Sequence, residues 1–304
     1  MLTAEELVAT AGAEALMRNG RIEVRPIAGA LGAEIAGVDL GSDLDDAVIA
    51  AIRRALLDHC VIFFRDQRLD DASQLAFATR FDGQLHAKTG ASALGANRFG
   101  NEALTDISNV DERGELLAAD DRRRHYGLAN RLWHTDASFV DPPGRYSLLS
   151  ARIVPAQGAD TEFADMRAAW DALPPAMQAR LRPLMAHHSI AYSREVLGFE
   201  FSAEEAERLR GVVQPLVRTN PVTGRCALYL ASHASRIEGM PLPEGRLLLR
   251  ELMEHATQPA FVYRHRWRAG DLVIWDNLAT MHRATPFADT QERRELRRVT
   301  TLAL

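Results

Sequence analysis

His134 and Asp136 stand two residues apart in the stretch Leu132-Trp133-His134-Thr135-Asp136. In a strand, residues i and i+2 point to one face, so this spacing offers an imidazole and a carboxylate to the same point. The pair alone fits a polar turn equally well. A third candidate is His282, which follows an apolar run and a polar turn in "LVIWDNLATMHRATPF". Two histidines and one carboxylate form a facial triad that leaves metal positions open, as in non-heme Fe(II) oxygenases. The same three ligands would also suit a zinc hydrolase. A sandwich protein with structural histidines and no catalysis is the third reading.

Arginines bear on that choice. In "RRELRR", Arg294 and Arg298 lie four apart in a predicted strand and share a face. A guanidinium grips a carboxylate through a bidentate fork. Two inward guanidiniums beside a metal are costly unless carboxylates meet them. A dicarboxylate cosubstrate and an anionic substrate would do so. Arg293 and Arg297, on the opposite face, are expected on a solvated edge strand. Of Arg293 and Arg294, only Arg294 shares a face with Arg298, so it is the preferred cosubstrate ligand.

Other chemistries find little support. The chain lacks a GxxxxGK[ST] phosphate loop, an HExxH helix and a GxSxG elbow. The glycines of "GALGAEIAGVDL" lack dinucleotide-binding spacing and read as turn glycines. His187 and His188 are adjacent and diverge, while His255 and His265 have no acidic partner at ligand spacing, so these four read as structural or surface residues. Cys60 and Cys226 form no CxxC pair, and Cys60 sits in an apolar run as a buried residue. A net charge of −5 gives no footprint for nucleic acid. No apolar run reaches the roughly 18 residues of a membrane span, and the acidic N-terminus lacks the basic region of a signal peptide. The expectation is a cytoplasmic protein without nucleic-acid or membrane partners, and a homo-oligomer.

The 304 residues are 47% hydrophobic and 25% charged, an ordinary globular composition. Residues 1–20 read as a loose helix or tail. Residues 45–59 place Val48, Ile49, Ile52 and Leu56 on one helical face. "CVIFFRD" reads as a buried strand, and "DDASQLAFATRF" as a second amphipathic helix. Residues 82–130 have weak periodicity and read as a long active-site loop or lid. Strands then dominate: "RYSLLSARIV", "TEFADM", a strand pair in "QPLVRTNPVTGRCALYL", and a second pair in "FVYRHRWRAGDLVIWDN". Helices are expected in "RAAWDALPPAMQARLRPL", interrupted at Pro174 and Pro175, and in "EGRLLLRELMEHATQ". One domain over residues 1–304 is expected, mainly β with flanking helices.

The motifs "WHTD", "GADTEFADMRAAWDALP", "WDNLATMHRATP" and "RRELRRVTTL" resemble the taurine dioxygenase/2,4-dichlorophenoxyacetate dioxygenase family. The resemblance runs from about Val24 to the C-terminus. "DISNV" and "FVYRHRW" lean toward the phenoxyacetate branch. The resemblance implies a double-stranded β-helix (jelly-roll) core. It implies Fe(II) on His134, Asp136 and His282, and 2-oxoglutarate as cosubstrate with its distal carboxylate on Thr161 and Arg294. Asn130 matches a polar position beside the cosubstrate or substrate. Arg298 matches the residue that holds the substrate's anionic group. His86, Lys88 and Ser108 fall in substrate-contacting segments. The implied reaction consumes O2 and hydroxylates a small anionic molecule, with 2-oxoglutarate leaving as succinate and CO2. For an aryloxyalkanoate such as 2,4-dichlorophenoxyacetate, hydroxylation beside the ether oxygen yields a phenol and a 2-oxo acid. The alternative within the family is a dioxygenase of taurine, another sulfonate or an alkyl sulfate.

Overall fold

Alternating faces organise the chain. In the computed structural model, which describes residues 12–13, 15–17, 21–29, 31–87 and 98–303, strands build the core and helices pack outside it. In chain order the strands are β1 (Glu23–Ala28), β2 (Leu31–Ala36), β3 (Val61–Phe64), β4 (Leu104–Ser108), β5 (Gly144–Ile153), β6 (Thr161–Asp165), β7 (Met185–His188) and β8 (Val212–Pro215). There follow β9 (Val217–Thr219), β10 (Cys226–Leu228), β11 (Ala234–Ile237), β12 (Val262–His265), β13 (Leu272–Asp276), β14 (Thr280–Ala284) and β15 (Glu295–Leu302). Seven of them form one sheet in the order β1-β2-β3-β13-β5-β15-β4. Smaller sheets have the orders β12-β6-β14, β11-β7-β8 and β10-β9.

The large sheet is apolar on both faces, and its period of two divides the core. Val61, Phe63, Leu149, Val273, Trp275 and Leu296 point inward, where Trp275 meets the Phe163 ring of the β12-β6-β14 sheet. Ile62, Phe64, Leu148, Leu272, Ile274 and Val299 point outward. There they meet Ile49, Ile52 and Leu56 of the Asp46–His59 helix and Phe77 and Phe81 of the Asp71–Asp82 helix. Both helices start on side-chain caps. Asp45 accepts from the Val48 N–H at 2.8 Å, and Asp70 with Ser73 forms a capping box. Each buried aliphatic or aromatic side chain in these layers contributes about 1.5–3 kcal/mol.

Three expectations change. Residues 82–130 are only partly a loop: β4 lies within them at the edge of the large sheet, and a short helix covers Arg122–Leu128. Residues 88–97 lie outside the described residues, as do most of residues 1–20, of which 12–13 and 15–17 are helical. "FVYRHRW" and "LVIWDN" do not pair: β12 pairs with β6, and β13 pairs with β3 and β5. The turn between them carries the chain from one sheet to the other over a buried polar knot. Asp271 accepts from His265 Nε2 at 3.1 Å and from the Arg268 N–H at 2.8 Å, and it also meets Arg65. His265 therefore has an acidic partner after all, in a structural role. Among the described residues, no helix is long and apolar enough to cross a membrane.

Candidate metal centre and its cavity

His134 and His282 exchange backbone hydrogen bonds of 2.9 and 2.8 Å in an isolated antiparallel bridge. This bridge, rather than a regular strand, brings the two imidazoles together, and Asp136 sits in the turn that follows. His134 Nε2 lies 4.0 Å from Asp136 Oδ1, and His282 Nε2 lies 3.7 Å from Asp136 Oδ2. All three side chains are buried, and their candidate ligand atoms lie within 4.8 Å of one another.

The protonation states suit a cation. Burial holds His134 down at about 4 and pulls His282 well below the usual histidine range, so both imidazoles are neutral near pH 7. Burial alone would raise Asp136. The Arg298 guanidinium, helped by the hydrogen bond from Ser147, outweighs it and holds the carboxylate at about 2. His134 Nδ1 lies 2.8 Å from the Leu132 carbonyl, which fixes the tautomer that presents Nε2 to the site. The His282 ring is oriented by packing instead, stacked on Phe163 and tilted against Trp275. Two neutral Nε2 atoms and one ionised carboxylate, buried and converging on one point, are a donor set that fits Fe(II).

The turn that carries Asp136 is latched on several sides. Thr135 Oγ1 donates toward the carbonyls of Leu230, at 3.0 Å, and Thr280, at 3.2 Å. Asn277 Oδ1 accepts from the Asp136 N–H at 3.2 Å and from Trp275 Nε1 at 2.9 Å. Ser147 Oγ donates to Asp136 Oδ2 at 2.8 Å. Arg298 Nη1 lies against Asp136 Oδ1. Trp133 packs into the inner core beneath the Arg283 guanidinium.

Arg294 and Arg298 both line the cavity beside His134 and Asp136, although β15 starts only at Glu295 and Arg294 precedes it rather than sharing the strand. Arg294 is 8% exposed, and burial lowers it to about 10. Its backbone N–H donates to Asn109 Oδ1 at 2.8 Å, and its Nη1 contacts the Ile107 carbonyl at 3.5 Å. Among the described residues it has no carboxylate partner. Arg293 turns outward, half exposed, and pairs with Glu295 at 2.6 Å. The expectation for Arg297 fails. β15 is not an edge strand but lies between β5 and β4, and Arg297 is 8% exposed, packed over the Phe99 ring with Glu295 and Asp106 beside it.

The cavity has a volume of about 210 Å³. Asn130 and Ser108 line it. Asn130 Oδ1 accepts from Arg194 Nη2 at 3.4 Å, and Ser108 Oγ accepts from Arg98 and Arg297. Thr161 does not line the cavity. It begins β6, where its Oγ1 accepts from Trp267 Nε1 at 3.0 Å, next to the Asp160 whose charge reaches Arg294. His86 is tied by its backbone N–H to the Thr300 carbonyl at 2.7 Å and lies beside the cavity rather than on its wall. Lys88 lies outside the described residues. Sequence reading missed Arg194, His233, Tyr126 and Phe139, which all line the cavity. They come from separate turns and helices, and no spacing joins them to the triad.

Known proteins resemble this chain over most of its length. The family described as Taurine catabolism dioxygenase TauD, TfdA family matches residues 23–300. An alpha-ketoglutarate-dependent 2,4-dichlorophenoxyacetate dioxygenase from Burkholderia sp. (strain RASC) is 45% identical over 270 residues, 88% of this chain and 90% of the relative. The protein of the same description from Cupriavidus pinatubonensis is 44% identical over 282 residues, 92% of this chain and 98% of the relative. The crystal structure of AAD-2 in complex with Mn(II) and N-oxalylglycine superposes with a TM-score of 0.89 at 43% identity, covering 93% of this chain and 98% of that one.

Proposed function

The chain belongs to the TauD, TfdA family of dioxygenases, and from that premise we propose that it hydroxylates an aryloxyalkanoate such as 2,4-dichlorophenoxyacetate beside its ether oxygen. It is an oxidoreductase that uses Fe(II) and 2-oxoglutarate. The two relatives described as 2,4-dichlorophenoxyacetate dioxygenases support the substrate class. We read the large sheet and the smaller sheet facing it as the walls of a jelly roll.

The observation that carries the reading is the juxtaposition of a buried, ionised Asp136 between two neutral imidazoles with a buried Arg294 that has no carboxylate partner among the described residues. His134, Asp136 and His282 would hold the metal. Iron, when bound, supplies the oxidising power for hydroxylation, coupled to conversion of 2-oxoglutarate and O2 into succinate and CO2. Arg294 would donate to the distal carboxylate of 2-oxoglutarate; Thr161 lies off the cavity wall, and its hydroxyl would have to reach in past Trp267 to join it. Arg298 would turn part of its charge toward the substrate's anionic group while it steadies Asp136. Asn130 and Ser108, both on the cavity wall, would complete the polar surround. Burial keeps the oxidising step away from bulk water, and the latched turn keeps the carboxylate from swinging. The hydroxylated carbon is a hemiacetal. It collapses to a phenol and a 2-oxo acid without further help.

The test is a substrate panel. With Fe(II), 2-oxoglutarate and O2, succinate should form on addition of 2,4-dichlorophenoxyacetate, matched by released phenol. Succinate formed with taurine or an alkyl sulfate, and none with the aryloxyacetate, would hand the site to the alternative substrate class.

A further inference from the structure

Three of the arginines that line the cavity are buried, Arg194, Arg294 and Arg298, and the reading above does not use the first. Arg194 belongs to the Ile190–Glu195 helix and is 3% exposed. Its guanidinium lies over the Tyr126 ring, 4.6 Å from the centroid. Nη1 donates to Ser193 Oγ at 2.7 Å, and Nη2 makes the long contact to Asn130 Oδ1. Among the described residues, its buried Nε has no hydrogen-bond partner. No Asp or Glu among the described residues is within ion-pair distance of it. Asp136, the carboxylate that reaches it electrostatically, is already held by Arg298.

A ring face and two neutral oxygens solvate a guanidinium in part. They do not neutralise it, and a buried charge without an anion is costly. The two other buried guanidiniums of the cavity differ from it. Arg298 shares its charge with Asp136, and Arg294 faces the cosubstrate end. The walls around Arg194 are aromatic and aliphatic: Tyr126, Phe139, Ile190 and the His233 ring, which meets Phe139 edge to face at 5.1 Å. An aromatic acid matches this combination of one unneutralised guanidinium and an apolar wall.

We infer that Arg194 is a second anchor for the anionic group of the organic substrate, and that it makes the enzyme select acids over neutral ethers of the same shape. The inference rests on the cavity being the aryloxyalkanoate site proposed above.

Calorimetric titration of the Fe(II)- and 2-oxoglutarate-loaded protein without oxygen tests it, with phenoxyacetate and neutral 2-phenoxyethanol as probes. Arg194→Gln should raise the Kd of phenoxyacetate about 10- to 100-fold, the loss of a hydrogen bond to a charged group. The Kd of 2-phenoxyethanol should hold. Equal weakening of both probes would mean that Arg194 only supports the wall, and unchanged binding of phenoxyacetate would mean that it does not meet the anion; either overturns the inference. A wild-type protein with no preference for the acid would overturn the substrate reading itself, and Arg194's role with it. Should Arg194→Gln fail to fold, Arg194→Lys carries the test. It keeps the charge but not the fork, so it should weaken phenoxyacetate selectively, and non-selective or unchanged binding contradicts the inference.

Discussion

Replacing His134 with alanine is expected to abolish Fe(II) binding and turnover while the fold survives. Loss of a residue that merely hydrogen-bonds a metal ligand costs about 10- to 100-fold, and loss of one of three ligands should exceed that. The fold survives because His134 is neutral before the metal arrives, and its removal strands no charge. Asp136 keeps Arg298 and the Ser147 hydroxyl as partners. Metal content after Fe(II) loading and the circular-dichroism melt separate the two effects. Asp136→Ala should behave differently. It leaves Arg298 buried without its carboxylate, which costs about 3–5 kcal/mol of stability on top of the lost iron. A His134→Ala protein that still holds one iron per chain and turns over normally would remove the triad from the account.

The second large effect concerns the two adjacent arginines. Arg294→Ala is expected to raise the KM for 2-oxoglutarate by about two orders of magnitude or more, the scale for deleting one partner of a buried hydrogen-bonded charge pair. Arg293→Ala should change it no more than about fivefold, since an outward, half-exposed ion pair contributes about 0.2–1 kcal/mol. The structural ground is the burial of Arg294, immediately before β15, against the outward pairing of Arg293 with Glu295. Steady-state kinetics with 2-oxoglutarate varied decides it. The reverse order would mean that β15 presents the other face to the cosubstrate.

The expectation for Arg294 could be reached from sequence because strand periodicity sets which side chains share a face. The arithmetic that paired Arg294 with Arg298 needed only the period of two, and both line the cavity. The same arithmetic placed Arg297 on the opposite face and went wrong about its surroundings. Periodicity gives a face but not what covers it, and here β4, Phe99 and Glu295 cover it. His134 and Asp136 converge for a reason the sequence does not display, a single bridge to His282 followed by a turn. Helices were legible where caps and amphipathic faces coincide, as in Asp46–His59. The strand β4 was not, because a short segment at a sheet edge has little periodicity to read. Nor was the sheet switch between β12 and β13, which depends on Asp271 meeting Arg65 and His265 across the fold. Arg194 lay beyond reach for the same reason. Its significance is the carboxylate it lacks, and that exists only in three dimensions.

The central claim is that three buried side chains hold Fe(II) so that 2-oxoglutarate can join it. The visible spectrum of the Fe(II)-loaded protein, recorded as 2-oxoglutarate is added without oxygen, tests this most directly. The account predicts a charge-transfer band that saturates at one cosubstrate per chain and is missing from the His134→Ala protein. A spectrum that stays flat at saturating Fe(II) and 2-oxoglutarate would contradict it.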